Sequence, residues 1–346
     1  MSELRMRRRQ LLGLVAAGLL PAACAGNAGN GTDGPSPVGL STSESPAPSL
    51  SGAAPLPAQF AFPWAGKGVV PATPGETMLG SYLGLSGRSL AAALKLRRQQ
   101  LGRDQRILHS FYAWTDDLPR SFPELPAGAV PMVSWRGTDY RHINDGSSDW
   151  IIERAAKGFK KYGKPVLLRW AWEMNGDWYA WGGPKNGNDL DGFKSAWKRL
   201  WRIFRDTGAD KVAFVWGPNW NSRPGTPAND MVNYYPGDRY VDWVGVSGYP
   251  LNKQKPEELY GGIYRQFSAR KPIMLAETAG IDHGPGTKAA WTTALQAWVK
   301  EHPAVCAQVW FDTDTHPFSE ENFRIDSSPD VLTAYRALAR DPRFAG

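Results

Sequence analysis

The chain has 346 residues, with 40 Lys+Arg against 33 Asp+Glu and a formal net charge of +7. Its five His and two Cys form no HxH, HExxH or paired Cys/His spacing, which argues against a metal centre and a disulfide framework. The basic excess is not gathered into a Lys/Arg stripe, so no nucleic-acid partner is expected.

Arg5, Arg7, Arg8 and Arg9 precede the apolar run from Leu11 to Leu20, and Pro21-Ala22-Ala23-Cys24 follows it. A basic head before a short apolar run is the pattern of an export signal, and this run is too short to cross a bilayer. Arg8-Arg9-Gln10-Leu11-Leu12 resembles a twin-arginine signal. The small residues before Cys24 resemble a lipoprotein cleavage site, although Pro21 stands where an aliphatic residue is usual. Residues 1–24 are therefore expected to direct export, with Cys24 as the lipidation site and the membrane reached through that anchor. The signal's four Arg and one Glu carry +3 of the charge, leaving +4 for the rest. Residues 25–59 are mostly Gly, Ser, Ala, Pro and Thr with no aromatic residue, a composition that cannot bury enough apolar surface to order itself. They read as a flexible tether. Cys306 is then alone, inside the apolar run Val305-Cys306-Ala307-Gln308-Val309, and reads as a small buried hydrophobe.

Residues 60–346 have the length of one large domain. Apolar, β-rich runs recur at Met78–Leu83, Arg106–Trp114, Ala129–Trp135, Pro165–Trp172, Lys211–Trp216, Val241–Tyr249, Pro272–Ala276 and Val305–Phe311. Helical patterns lie between them. The clearest is Leu190, Phe193, Trp197, Leu200, Trp201 and Phe204, and another is Trp291, Leu295, Trp298 and Val299. Further helices are predicted over Ser89–Leu101, Trp150–Tyr162, Pro256–Phe267 and Pro329–Leu338, while the second and fifth connections look weakly helical. Eight strands alternating with helices predict an α/β fold, a (β/α)8 TIM barrel. The alternative is an open doubly wound sheet, which lacks its glycine-rich loop after the first strand.

In a barrel the catalytic groups belong at the C-terminal ends of the strands. Trp114, Trp135, Trp216 with Asn219, Tyr249 and Trp310 cluster at those ends, beside two carboxylates. Strand parity places Arg169, Ala171 and Glu173 on one face, with Glu173 emerging at the mouth among Trp170, Trp172, Trp178 and Trp181. An apolar wall raises a carboxyl pKa, as a general acid requires. Glu277 closes the buried run Pro272-Ile273-Met274-Leu275-Ala276. Strands four and seven face each other across a barrel mouth, and two such glutamates suit glycoside hydrolysis: a separation of roughly 5–5.5 Å lets one act as nucleophile, with retention.

The chain has 16 Trp. Sugar rings present apolar C–H faces that lie flat on aromatic rings. Trp310 is the candidate platform under the reacting sugar, and Trp178 and Trp181 are candidates for neighbouring subsites. Trp197, Trp201, Trp291 and Trp298 follow helical stripes and belong to the core. Arg169, Trp172, Asn175, Trp114, Trp216, Asn219 and Tyr249 complete the expected substrate-binding group.

These residues carry a likeness. Arg169 to Trp181, with Glu-Met-Asn-Gly and the following Trp-Tyr-x-Trp, resembles the acid/base strand of glycoside hydrolase family 26, which contains endo-β-mannanases. Phe214 to Asn219 resembles its fifth strand, Asp242 to Tyr249 its sixth, and Pro272 to Glu277 its nucleophile strand. The resemblance implies a metal-independent retaining glycosidase without cofactor. In it Glu173 is the acid/base and Glu277 the nucleophile, Tyr249 touches that nucleophile, and Trp310 supports the site. One position departs: the mannanases usually carry histidine before the acid/base, and here it is Trp172, which has one donor and no acceptor. The expected substrate is β-1,4-mannan, with β-glucan, β-xylan or a cell-wall glycan as alternatives. A non-catalytic polysaccharide-binding lipoprotein is a further alternative, and a monomer is expected.

Overall fold

Eight short runs, most of them apolar on both faces, become eight parallel strands in a computed structural model that describes residues 62–315 and 321–344. The expected export signal, the tether and Cys24 lie outside the described residues. The strands are β1 Met78–Gly84, β2 Ile107–Tyr112, β3 Val130–Trp135, β4 Val166–Trp170, β5 Val212–Trp216, β6 Trp243–Gly248, β7 Ile273–Thr278 and β8 Val305–Thr313. They pair in sequence order and close on themselves, β1 against β8 over seven residue pairs from Met78↔Ala307 to Gly84↔Thr313. This is a (β/α)8 barrel. Closure removes the sheet edges, and the helices cover the outer face, which is why β4 to β8 have no exposed residue.

The helices are α1 Leu90–Leu101, α2 Tyr140–Asn144, α3 Asp149–Tyr162, α4 Leu190–Thr207, α5 Pro256–Phe267, α6 Thr287–Glu301 and α7 Pro329–Arg340. Their ends follow local chemistry. Ser89 Oγ accepts from the Ala92 N–H at the start of α1, and Gly102, with φ 74°, ends it in the left-handed region open to glycine. In α4 the stripe Phe193, Ala196, Trp197, Leu200 and Phe204 is buried against the barrel. No helix forms between β2 and β3, and only three short 3-10 turns lie between β5 and β6.

The aromatic residues of the strands serve this outer packing. Trp170 stacks on Phe193 of α4 at 5.7 Å, Trp216 packs on Phe267 of α5 at 5.3 Å, and Trp310 meets Trp291 of α6 and Tyr335 of α7 at 6.3 and 5.0 Å. Residues 62–77 run across the N-terminal end of the barrel. There the Trp243 indole donates to Val70 O at 3.1 Å and the Thr77 hydroxyl to Val305 O at 2.7 Å. The opposite end, where the strands finish, is left to the site.

Candidate active site

β4 is shorter than its apolar run. It stops at Trp170, and Ala171 and Glu173 then adopt φ of 46° and 54°. Non-glycine residues in that region cost of order 1 kcal/mol each and persist where surrounding bonds fix them. Here the Ala171 N–H donates to Trp135 O at 2.9 Å and the Glu173 N–H to Gly217 O at 2.8 Å. Strand parity therefore places Arg169 inward but does not place Glu173. A left-handed turn, braced by the ends of β3 and β5, delivers the Glu173 carboxyl to the mouth. Gly217 is required beside it, because a Cβ there would lie 2.6 Å from Arg169 Nε.

Glu173 and Glu277 line one open cleft. Its wall comes from β4 to β8: Trp178 and Tyr179 after β4, Asn219, Trp220, Asn221 and Arg223 after β5, Tyr249, Leu251, Asn252 and Gln254 after β6, then Phe311 on β8 and Phe323 beyond it. The two glutamates are dressed differently. Arg169, fully buried, donates through Nη1 to Glu277 Oε2 at 2.8 Å and through Nη2 to Ser247 Oγ. The Tyr249 hydroxyl donates to Glu277 Oε1 at 2.8 Å. Both Glu277 oxygens thus accept, one of them from a guanidinium. Irregular pairing between β6 and β7 sets Ser247 opposite Glu277, a local bulge of the kind that re-aims side chains beside sites.

Glu173 receives less. The Trp178 indole donates to its Oε2 at 2.8 Å. Burial, followed by the charge of Glu277, pushes its carboxyl up to about 7, against the opposing pull of Arg169 and of bonds from Ser247 and Trp178. Burial and then Glu277 also raise the Tyr249 hydroxyl well above its usual value, so it stays protonated as a donor. Beneath the pair, burial and then Arg169 hold the His109 imidazole well below its usual value, and its Nε2 lies 2.7 Å from Ser134 Oγ. Among the described residues no group of three His, Cys, Asp or Glu is placed to hold a metal ion.

Several expected binding residues lie elsewhere. Trp310 is not the sugar platform: it is fully buried in the helix layer, with its indole bonded to Phe323 O at 2.8 Å. The next residue, Phe311, faces the cleft instead. Trp216 is likewise turned outward onto the helices and fully buried. Trp114 stacks on Trp135 at 4.4 Å, on the side of the barrel that contributes nothing to the cleft wall. Trp181 donates to Trp172 O at 2.8 Å and stacks on Tyr179 at 4.2 Å, so it buttresses the wall from behind. Trp172 is also hidden, its indole donating to the Tyr179 hydroxyl at 3.0 Å. Asn175 is fully buried and acts on the next loop. Its Oδ1 accepts from the Asn219 N–H at 2.9 Å, and its Nδ2 donates to Asn219 O and Ser222 Oγ at 3.0 and 3.1 Å.

Arg169, Trp178, Asn219 and Tyr249 are where sequence reasoning placed them, at the cleft or on its glutamates. It missed Tyr179, Trp220, Arg223, Leu251, Phe311, Phe323 and Ser247. Each lies near or beyond the C-terminal end of a barrel strand, and that position was the one available signal for them.

Comparison with known proteins follows the same lines. Residues 131–315 match the profile of Glycosyl hydrolase family 26. Endoglucanase H of Acetivibrio thermocellus is 33% identical over 264 residues, 71% of this chain and 28% of that protein. A mannan endo-1,4-beta-mannosidase of Bacillus subtilis is 28% identical over 170 residues, 45% of this chain and 44% of that protein. The chain thus aligns with less than half the length of either relative. The structure of the GH26 beta-mannanase BoMan26A from Bacteroides ovatus superposes with a TM-score of 0.59 at 17% identity, covering 78% of this chain and 90% of that one, a likeness of fold. By the profile match over more than half its length, this chain belongs to glycosyl hydrolase family 26.

Proposed function

We propose that this protein is a retaining endo-β-glycanase. One observation carries the reading: two glutamates share a cleft, one held as an acceptor by Arg169 and Tyr249, the other buried with its carboxyl pushed up to about 7. In the first step Glu277 attacks the anomeric carbon. A C1–carboxylate bond forms as the glycosidic C1–O bond breaks, and the Glu173 proton passes to the leaving oxygen. In the second step Glu173 takes a proton from water, whose oxygen attacks C1 and releases Glu277.

The backbone we favour is a β-glucan. A relative aligned over 71% of this chain is named an endoglucanase. At the position where the mannanases usually carry a histidine, Trp172 is buried with its single donor already used, so it offers an incoming sugar neither donor nor acceptor. β-1,4-Mannan is the second reading, favoured by the relative named a mannan endo-1,4-beta-mannosidase. The test is a panel of mixed-linkage glucan, β-1,4-glucan, β-mannan and β-xylan, with reducing ends counted and the first anomer followed by proton NMR. Release of the β-anomer first, lost in Glu277→Ala, is expected. An α-anomer as the first product would defeat the retaining assignment. Export and anchoring through Cys24 belong to the same proposal. They are tested by radiolabelled palmitate incorporation that disappears in Cys24→Ala.

A further inference from the structure

The loop after β5 holds a guanidinium in the cleft that the reaction does not use. Arg223 is exposed and lines the same cleft as the two glutamates. Among the described residues it has no carboxylate within 4.0 Å. The cleft's own acids do not serve it, since Glu277 is taken by Arg169 and Glu173 by Trp178. The loop is nonetheless fixed. Its Asn219 backbone is held on both sides by Asn175, Ser222 Oγ accepts from Asn175 Nδ2, and the Arg223 N–H donates to Asn175 O at 2.9 Å. The Asn229 amide also donates to Asn175 O and to Pro224 O, both at 2.9 Å. A pinned backbone therefore presents an uncommitted guanidinium at the cleft, beside Trp220, which can lie under a sugar ring, and Asn221. A neutral glycan offers that guanidinium only single hydroxyl acceptors, whereas a planar carboxylate matches both its fork and its charge.

We propose that Arg223, with Trp220 and Asn221, forms a subsite for a carboxylate carried on the glycan, either a uronosyl unit of the backbone or a uronosyl branch. The inference rests on the glycanase reading for its substrate class. The probes are β-1,4-gluco- and manno-hexasaccharides, the same chains oxidised at C6 to the carboxylate, and a hexasaccharide bearing one glucuronosyl branch. Binding is measured by calorimetry on Glu173→Gln, which keeps the cleft's shape. Hydrolysis is measured on the unmodified enzyme, and both are repeated with Arg223→Ala and Arg223→Lys. The acidic chains are expected to bind about tenfold more tightly than the neutral ones, the scale of one charge-assisted hydrogen bond. That ratio should fall toward one in Arg223→Ala, stay intermediate in Arg223→Lys, and shrink in 0.5 M salt, as screening requires. Which acidic chain shows the preference tells backbone from branch. An acidic-to-neutral ratio near one, or one unmoved by Arg223→Ala, overturns the subsite. Preferential binding without hydrolysis of any chain overturns the glycanase reading and leaves the subsite standing.

Discussion

At the scale of single residues, the site works by giving two like side chains unlike surroundings. Glu173 holds its proton more tightly when folded than when unfolded, about 7 against 4.5. Two consequences follow with definite sign. In the proposed mechanism activity needs the protonated acid, so kcat/KM should fall about tenfold per pH unit above about pH 7, and that limb should be absent in Glu173→Gln when measured with an aryl glycoside whose leaving group needs no proton. Stability must decline as pH rises from about 4.5 to 7, because over that range the folded state still holds a proton that the unfolded state has released. Glu173→Gln should therefore be more stable than the parent at pH 8, by on the order of 1–3 kcal/mol, and lose that advantage at pH 4. A calorimetric Tm difference of the same size at both pH values would contradict this. Trp310 and Phe311 make a contrasting pair. Trp310→Ala should cost roughly 3–5 kcal/mol of stability as a large core deletion and change the KM of the folded enzyme less than a cleft substitution does, through the lost bond to Phe323 O alone. Phe311→Ala, at the cleft, should raise KM, and a reversed pattern would restore Trp310 as the platform.

At the scale of elements, the site is a set of braces between neighbouring strand ends, and the sequence reports them unevenly. The eight strands were legible because buried parallel strands are continuous apolar runs broken by polar connections. That property hides which face is which: in Val305–Thr313 every residue is buried, so nothing in the pattern separates inward Phe311 from outward Trp310. The turn at Ala171–Glu173 was not legible either, since neither residue is a type that favours positive φ, and tertiary bonds impose it. The Glu173 and Glu277 pairing survived because it depends only on strand order, whereas the tryptophans misled because helix–sheet packing uses large flat rings as readily as sugar binding does. Gly217 tests the bracing directly. Gly217→Ala would push a methyl into Arg169, the donor to Glu277. It should destabilise by roughly 1–3 kcal/mol, as overpacking does, and lower kcat more than it raises KM. A variant with unchanged kcat would mean that the Arg169 position is not critical.

At the scale of the whole molecule, closing the barrel and shaping the cleft are one event. The last strand must find the first, and the seam is locked by charge. Arg97 of α1 meets Asp312 of β8 at 2.6 Å and Asp326 at 2.8 Å, and the Arg97 and Asp312 side chains are each only 1% exposed. Arg324 joins Asp326 to Asp314 at 2.8 and 2.9 Å, and Asp312 also accepts from the Ile325 N–H at 3.2 Å. Lys288 of α6 donates to Asn322 O, Arg324 O and Ser327 Oγ at 2.6, 2.8 and 3.0 Å. Together these bonds fix the segment that carries Phe323 to the cleft wall. Removing one partner of a buried pair strands the other, at about 3–5 kcal/mol, while replacing both with apolar residues of similar size is often near neutral. Arg97→Ala should accordingly lower Tm by roughly 6–15 °C for a domain of this size, and raise KM as Phe323 loses its anchor. Arg97→Met combined with Asp312→Leu should recover most of the Tm but not the KM, because the Ile325 N–H then loses its acceptor. Thermal melts and initial rates on the three proteins separate the two effects. Recovery of both together would mean that the seam supports the barrel without holding the cleft.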